Sequence, residues 1–484
     1  MRIERAFALT VLLCTVSPYG FAKTAQENHF ESGILLYKGG KYKEALVELE
    51  QAGKLSPDRA EAHLRLGMIY AIQKRYDSAL DLYERAAALD PKGMTAGWAH
   101  FGLADIYYAK GMLEDSFLEL EKGLKTVPDY AYTYAHIARI FRRKGLCDQA
   151  VIECEKALKL EPGNAAARDT LGDVYLSRKK HDKAAAVLTE AVALDPAYPR
   201  AHYTLGRLYH DLGKDSDALR EMAQAIRLDP QQTVFYKGIG AIYQEQSRYA
   251  EAIDILRKAI TLDPYAVDIL VMLGNAYDMN GEEHNALKTY QRAAGLEPGS
   301  VETRVGLAVI FGKKGRYEKA IAECRKALQL APENIPARIV LADVYVLQGK
   351  FSRASVLLKE ALAIDPEYAL VHYTLGRTYH KMGLQDYAVK ELLKSIQLDP
   401  ESALFYAGLG GVYRDNRLYD RAIETLKKAI EFDPRFIEAF RRLGDAYMGK
   451  GMYEEAVKAY ESALTVKPVP FVYGVKRPQE ITSE

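Results

Sequence analysis

"PRAHYTLGRLYHDLGKDSDALREMAQAIRLDP", from Pro199 to Pro230, contains one complete structural unit. His202, Leu205, Gly206 and Tyr209 fall on a single stripe at the 3.6-residue period of an amphipathic helix. "DLGKD" (Asp211 to Asp215) supplies a polar, glycine-containing turn, and a second helical stretch follows. "LDP" stops that helix, because the residue before a proline is pushed out of the α region. The stretch Ala201–Gly213 returns almost letter for letter as "VHYTLGRTYHKMG" from Val371 to Gly383.

Closing prolines set the period. They stand at Pro57, Pro91 and Pro128, and then at every thirty-fourth residue to Pro468; the step from Pro91 to Pro128 is 37. This makes thirteen units over about residues 26–468. The unit ending at Pro264 shows the other recurrent letters: Ile239, Gly240 and Tyr243 on the first helix, Ala252, Leu256 and Ala259 on the second. Gly240 and Ala252 are small where two helices must cross closely.

With length 34, the Leu-Gly-x-x-Tyr pattern, the later alanines and the closing proline, the unit resembles the tetratricopeptide repeat. The family's usual tryptophan is mostly replaced, by His63, His100, Tyr134, His202, Tyr236, His372, Tyr406 and Phe440. The resemblance implies an all-α, right-handed superhelical α-solenoid of about thirteen helix-turn-helix units, one elongated domain over residues 23–468. It also implies that first helices line a concave groove where ligands bind.

A longer period lies above the first. Residues 131–300 and 301–470, compared at an offset of 170, share 69 identities, as expected if a five-unit block had been copied once in tandem. The recurrence of His202 at His372 therefore needs no functional explanation.

The chain ends differ from the array. Arg2 and Arg5 precede an apolar run, Ala6 to Val16, followed by Pro18 and "GFA" at Gly20–Ala22, the layout of a secretory signal peptide covering residues 1–22. Export to a periplasm, or secretion, is the expectation. Cleavage would bring the formal charge from +1 to 0, which argues against nucleic acid as a partner. The tail, 469–484, carries Pro470 and Pro478, which oppose a further helix; Phe471, Val472 and Tyr473, another chain or a partner could cover the last repeat. Cys147 and Cys154 are seven apart on one helix, too far for a disulfide, and buried thiols are expected at Cys147, Cys154 and Cys324.

Reading the groove stripe gives the candidate ligand-binding residues. In the first four units it is apolar and aromatic: Phe30, Leu64, Trp98, Phe101, Tyr108 and Tyr132 among others. Arg139, Arg142 and Arg143 follow, and then Tyr203, Arg207 and His210 with their counterparts Tyr373, Arg377 and His380. An aromatic groove beside an arginine triplet suits a peptide carrying an acidic group; the competing reading is that Arg142 to Lys144 solvate a helix end. The three-residue insert Lys92–Met94 is expected to lengthen one inter-repeat turn.

No phosphate loop, HExxH, GxSxG or paired cysteine set is present, and His202 with His210 has the wrong spacing for a metal. No catalytic residue, metal or cofactor is expected. The function expected is a non-enzymatic scaffold for protein or peptide ligands, with no transmembrane span and with self-association through the C-terminal unit as a further option. The alternative is a periplasmic part of envelope or exopolysaccharide export machinery, followed by a regulatory subunit of an enzyme.

Overall fold

The computed structural model describes residues 25–73 and 75–465. The signal-peptide segment, Cys14 and the tail from residue 466 lie outside the described residues. Twenty-six helices are present among those described, two to each of thirteen repeats. The chain divides into two compact units, one up to Leu208 and one from Tyr209. Within each, a helix packs on its partner and on the first helix of the next repeat.

The repeat letters map onto the packing. A Cβ at Gly240 would stand 2.7 Å from the side chain of Leu256, and Ala252 is fully buried. Leu120 and Leu188 in the first unit, and Leu256 and Leu270 in the second, are almost wholly enclosed. Each such leucine contributes roughly 2 kcal/mol of transfer free energy. The first helix of a pair commonly ends on a left-handed residue. In the fourth repeat this is Gly145 (φ 76°), where Gly145 donates to the Arg142 carbonyl and Leu146 to the Phe141 carbonyl. Lys179, Ser247 and Arg417 hold the same conformation with a side chain, at φ 54°, 58° and 60°.

The replacement of tryptophan by histidine or tyrosine has a structural reason. Nε2 of His63, His202 and His372 lies 2.8, 3.1 and 3.0 Å from the carbonyl of Pro57, Pro196 and Pro366. The hydroxyls of Tyr134 and Tyr236 reach the equivalent carbonyls of Pro128 and Pro230. The ring fills the framework slot while its polar tip satisfies a carbonyl that the interrupted helix leaves over.

The insert behaves differently from the expectation. The helix Met94–Ala109 begins three residues after Pro91, as Ala165–Ser177 does after Pro162, but has 16 residues instead of 13. The extra residues thus lengthen the helix by almost one turn and leave the inter-repeat turn unchanged, because three residues nearly complete a helical turn. Gly97 lets the added turn run close to Thr126 and Val127.

Cys147, Cys154 and Cys324 are not in disulfides. Burial pushes the Cys154 and Cys324 thiols up to about 12. Cys147, at the start of its helix, is only partly buried, contrary to expectation.

Candidate functional site

On the second helices charges pair locally along the helix, as Lys156 does with Glu153 and Lys326 with Glu323. The first helices of repeats three to six, residues 94–208, differ. One column recurs at the same position of successive repeats with alternating sign: Asp105, Arg139, Asp173, Arg207.

The partners along this column are unevenly distributed. Asp173 is 5% exposed and takes two arginines, Arg207 Nη1 at 2.5 Å and Arg142 Nε at 2.8 Å. Burial pushes its carboxyl up, but Arg207 and Arg142 outweigh that and hold it below its ordinary value. Asp169, fully buried one turn earlier, accepts from Arg200 Nε at 2.8 Å and from the Thr204 hydroxyl at 2.6 Å. Burial dominates there and raises its carboxyl despite Arg200. Asp105 accepts the Tyr132 hydroxyl at 3.0 Å and lies 3.0 Å from Nδ1 of the buried His136. Burial, followed by Arg139, holds the His136 imidazole below its usual value.

Arg139 makes no direct ion pair. Its guanidinium sits 5.6 Å from the Tyr108 ring, its Nε is buried with no hydrogen-bond partner, and among the described residues no carboxylate forms an ion pair with it. Its electrostatic neighbours include Tyr132, Tyr198, Arg200 and Tyr108, and the buried Asp169 also feels its charge. Burial pushes the Tyr198 hydroxyl up to about 12 and raises that of Tyr132 well above its ordinary value. A continuous chain of ring contacts leads to this point. Trp98 meets Tyr130 at 4.8 Å, Tyr130 meets Tyr132 at 5.6 Å, Tyr132 meets His136 at 5.9 Å and His136 meets Tyr108 at 4.9 Å.

The sequence candidates therefore separate. Trp98, Tyr108, Tyr132, Arg139 and Arg142 come together here, with Arg143 exposed at the helix end, 4.7 Å over the Tyr108 ring. Arg142 and Lys144 do not merely solvate a helix end, since Lys144 pairs with Glu114 at 2.8 Å and Arg142 with Asp173. Arg207 joins the same cluster through Asp173, and Tyr203 is half-buried. Phe101 and Tyr373, expected on the open face, are core residues at 3% and 4% exposure, as are Phe30 and Leu64. That stripe is covered by neighbouring side chains and helices: Phe101 stacks on Tyr130, and Tyr373 packs on Phe405 at 5.2 Å and beneath Gly408.

In the second unit, His210 bridges Asp215 at 2.7 Å and Glu245 at 3.0 Å, and His380 bridges Gln385 and Asp415. Arg377 lies 3.9 Å from Asp343. Two shallow clefts of about 380 and 340 Å³, at Leu409 and Leu273, occupy equivalent places four repeats apart and so belong to the repeat itself. Among the described residues no group of His, Cys, Asp and Glu could hold a metal, and no helix is long and apolar enough to cross a membrane.

Sequence reasoning missed Asp105, His136 and Tyr198. The alternating column was the available signal for Asp105, whereas His136 and Tyr198 sit off the stripe and are brought in only by packing.

Tetratricopeptide-repeat family models match residues 30–93, 203–267 and 271–335, 70–140 and 313–360, 131–164 and 369–402, and 437–468. A further repeat model matches 172–213, 342–383 and 418–451. The chain belongs to the tetratricopeptide-repeat (TPR) family. Among solved structures this TPR chain is similar to the APC/C hetero-tetramer Cut9-Hcn1, at 14% identity, TM-score 0.47 and coverage of 96% of this chain and 95% of that one. It is also similar to yeast Tom70, at 19% identity and TM-score 0.45, covering 84% and 92%. A TPR protein from Parabacteroides merdae ATCC 43184 matches at 17% identity and TM-score 0.44, covering 54% and 98%. No curated protein matches the TPR chain.

Proposed function

We propose that this TPR protein is an exported, non-enzymatic scaffold that binds a protein segment along the first helices of repeats three to six. Family membership supports a protein-interaction role. The observation that carries the finer reading is the cluster around Arg139, where five arginines (139, 142, 143, 200 and 207) stand with only three carboxylates, Asp105, Asp169 and Asp173. A segment bearing acidic side chains complements that excess, and the adjoining aromatic rings offer apolar contact. Export rests on the layout of residues 1–22.

The test is crosslinking of the mature chain to its partner in envelope extract, mapped by mass spectrometry. Crosslinks should concentrate on residues 94–208 and fall in the variant Arg139→Glu/Arg143→Glu. Arg142 is left intact because Asp173 depends on it. Capture unchanged by that variant, or crosslinks confined to residues 209–465, would overturn the reading. Membership of polysaccharide export machinery is the other reading of an exported TPR array, and quenching of Trp98 by oligosaccharides would favour it instead.

A further inference from the structure

His136 differs from the other buried histidines. His63, His202 and His372 each set a ring nitrogen on a proline carbonyl, whereas neither nitrogen of His136 makes a hydrogen bond. Its ring is 1% exposed and touches those of Tyr108 and Tyr132. Nδ1 stands 3.0 Å from Asp105 Oδ1 but out of hydrogen-bond alignment, and that carboxylate already accepts the Tyr132 hydroxyl. The other charges nearby are cations: Arg139 on the same helix and Arg200 on helix 199–211. Helix 165–177 brings Asp169, held by Arg200 and Thr204, and Asp173, held by Arg142 and Arg207. Helices 113–126 and 147–160 bring Glu114, Glu119 and Glu153, which pair with Lys144, with His100 and Lys122, and with Lys156. A proton on His136 would thus add a third cation beside two guanidinium groups at a position closed to water, with Asp105 as its nearest counter-charge.

The five-repeat copy shows the same backbone without the titratable ring. At an offset of 170, His136 corresponds to Gly306, Asp105 to Asn275, Arg139 to Val309 and Arg200 to Leu370. Helices Ala131–Arg143 and Val301–Lys313 each have 13 residues, and both are followed by a left-handed glycine. A Cβ at Gly306 would stand 2.5 Å from the Tyr290 ring, whose hydroxyl donates to Asn275 Oδ1. Burial raises the Tyr290 hydroxyl, so this ring stays neutral in acid.

We propose that His136 is an acid-sensitive switch, whose protonation loosens helix 131–143 from its neighbours while the equivalent helix of the copy, 301–313, stays closed. Burial, followed by Arg139, holds the imidazole below its ordinary 6.5 in the closed state. The opened helix therefore binds the proton more readily, and the closed state loses stability as the pH falls below 6.5. Burial raises the Asp169 carboxyl, so a proton there acts with the opposite sign. That opening would release a bound segment rests on the function proposed above; the switch itself does not.

The test is hydrogen exchange of the full chain by mass spectrometry at about pH 7.5 and about pH 5, corrected for intrinsic exchange at each pH. Protection of residues 131–143 should fall about ten-fold towards acid, and that of 301–313 should stay constant. His136→Phe keeps a ring and leaves Asp169 in place, and should abolish the fall. Asp105→Asn installs the copy's own residue, removes the nearest counter-charge and should deepen it. An equal fall in both helices, or an undiminished fall in His136→Phe, would overturn the switch. Should His136→Phe fail to fold, a fall in Asp105→Asn no deeper than in the native chain would count against it equally. Acid opening of 131–143 without partner crosslinks on residues 94–208 would leave the switch standing and remove the scaffold reading.

Discussion

The Asp173 carboxylate accepts a hydrogen bond of 2.5 Å from Arg207, which lies one repeat further along the chain. Because Arg142 reaches the same carboxylate from the preceding repeat, one aspartate ties three successive first helices together. Replacing it by Asn keeps the shape but leaves two guanidinium groups without their counter-charge. Asp173→Asn should cost about 3 kcal/mol in chemical denaturation. A loss below a few tenths of that would show that the two arginines find other partners.

His210 gives a dependence on pH in the second unit. Its hydrogen bond to Glu245, joined by that to Asp215, raises its pKa to about 9 from the ordinary 6.5. A raised folded value means that the bridge stabilises fully below pH 6.5 and is lost as the pH climbs through about 9. With the side chain only partly enclosed, solvent screening keeps the contribution on the order of 1 kcal/mol. The melting-temperature gap between the native chain and Glu245→Gln should shrink between pH 6.5 and 9; a constant gap would contradict the assignment.

Among the described residues, three repeats turn on a left-handed residue that is not glycine. A side chain in the left-handed region costs roughly 1 kcal/mol, which nine repeats avoid with glycines such as Gly145 or Gly315. The triple variant Lys179→Gly/Ser247→Gly/Arg417→Gly should therefore melt higher than the native chain. Calorimetry showing a lower midpoint would mean that these side chains make contacts worth more than the strain.

Gly123 and Phe101 form a compensating pair. Five residues before the closing proline eleven repeats have alanine and one has Ser395; only the third has glycine. A Cβ there would enter the Phe101 ring. Gly123→Ala should destabilise by about 1–3 kcal/mol, and Phe101→Leu should recover much of that in a double-mutant cycle. Additive costs would refute the coupling.

How much of this was legible beforehand follows from the distances involved. The helix boundaries, the crossing of Gly240 over Leu256 and the thirteen pairs follow from a period of 34, because each repeat packs only on its neighbours. The arginine triplet was visible as a charge cluster, and the column Asp105–Arg139–Asp173–Arg207 could have been read once the repeats were aligned. Three things were not legible. The insert at Lys92–Met94 could extend either turn or helix, and helical periodicity within three residues cannot separate the two. Phe101 and Tyr373 occupy a stripe whose exposure depends on what the next element covers, and a helical wheel contains no neighbour. Which arginine keeps a carboxylate is decided by competition: Asp173 has room for two guanidinium groups, and Asp105 is turned to Tyr132 and His136. The sequence by itself determined a helical repeat array with a charge excess on one face of its third to sixth repeats. Only the tertiary structure decided that Arg139 is the guanidinium left over, because ion pairing is settled by distance and burial between repeats and not by position within one.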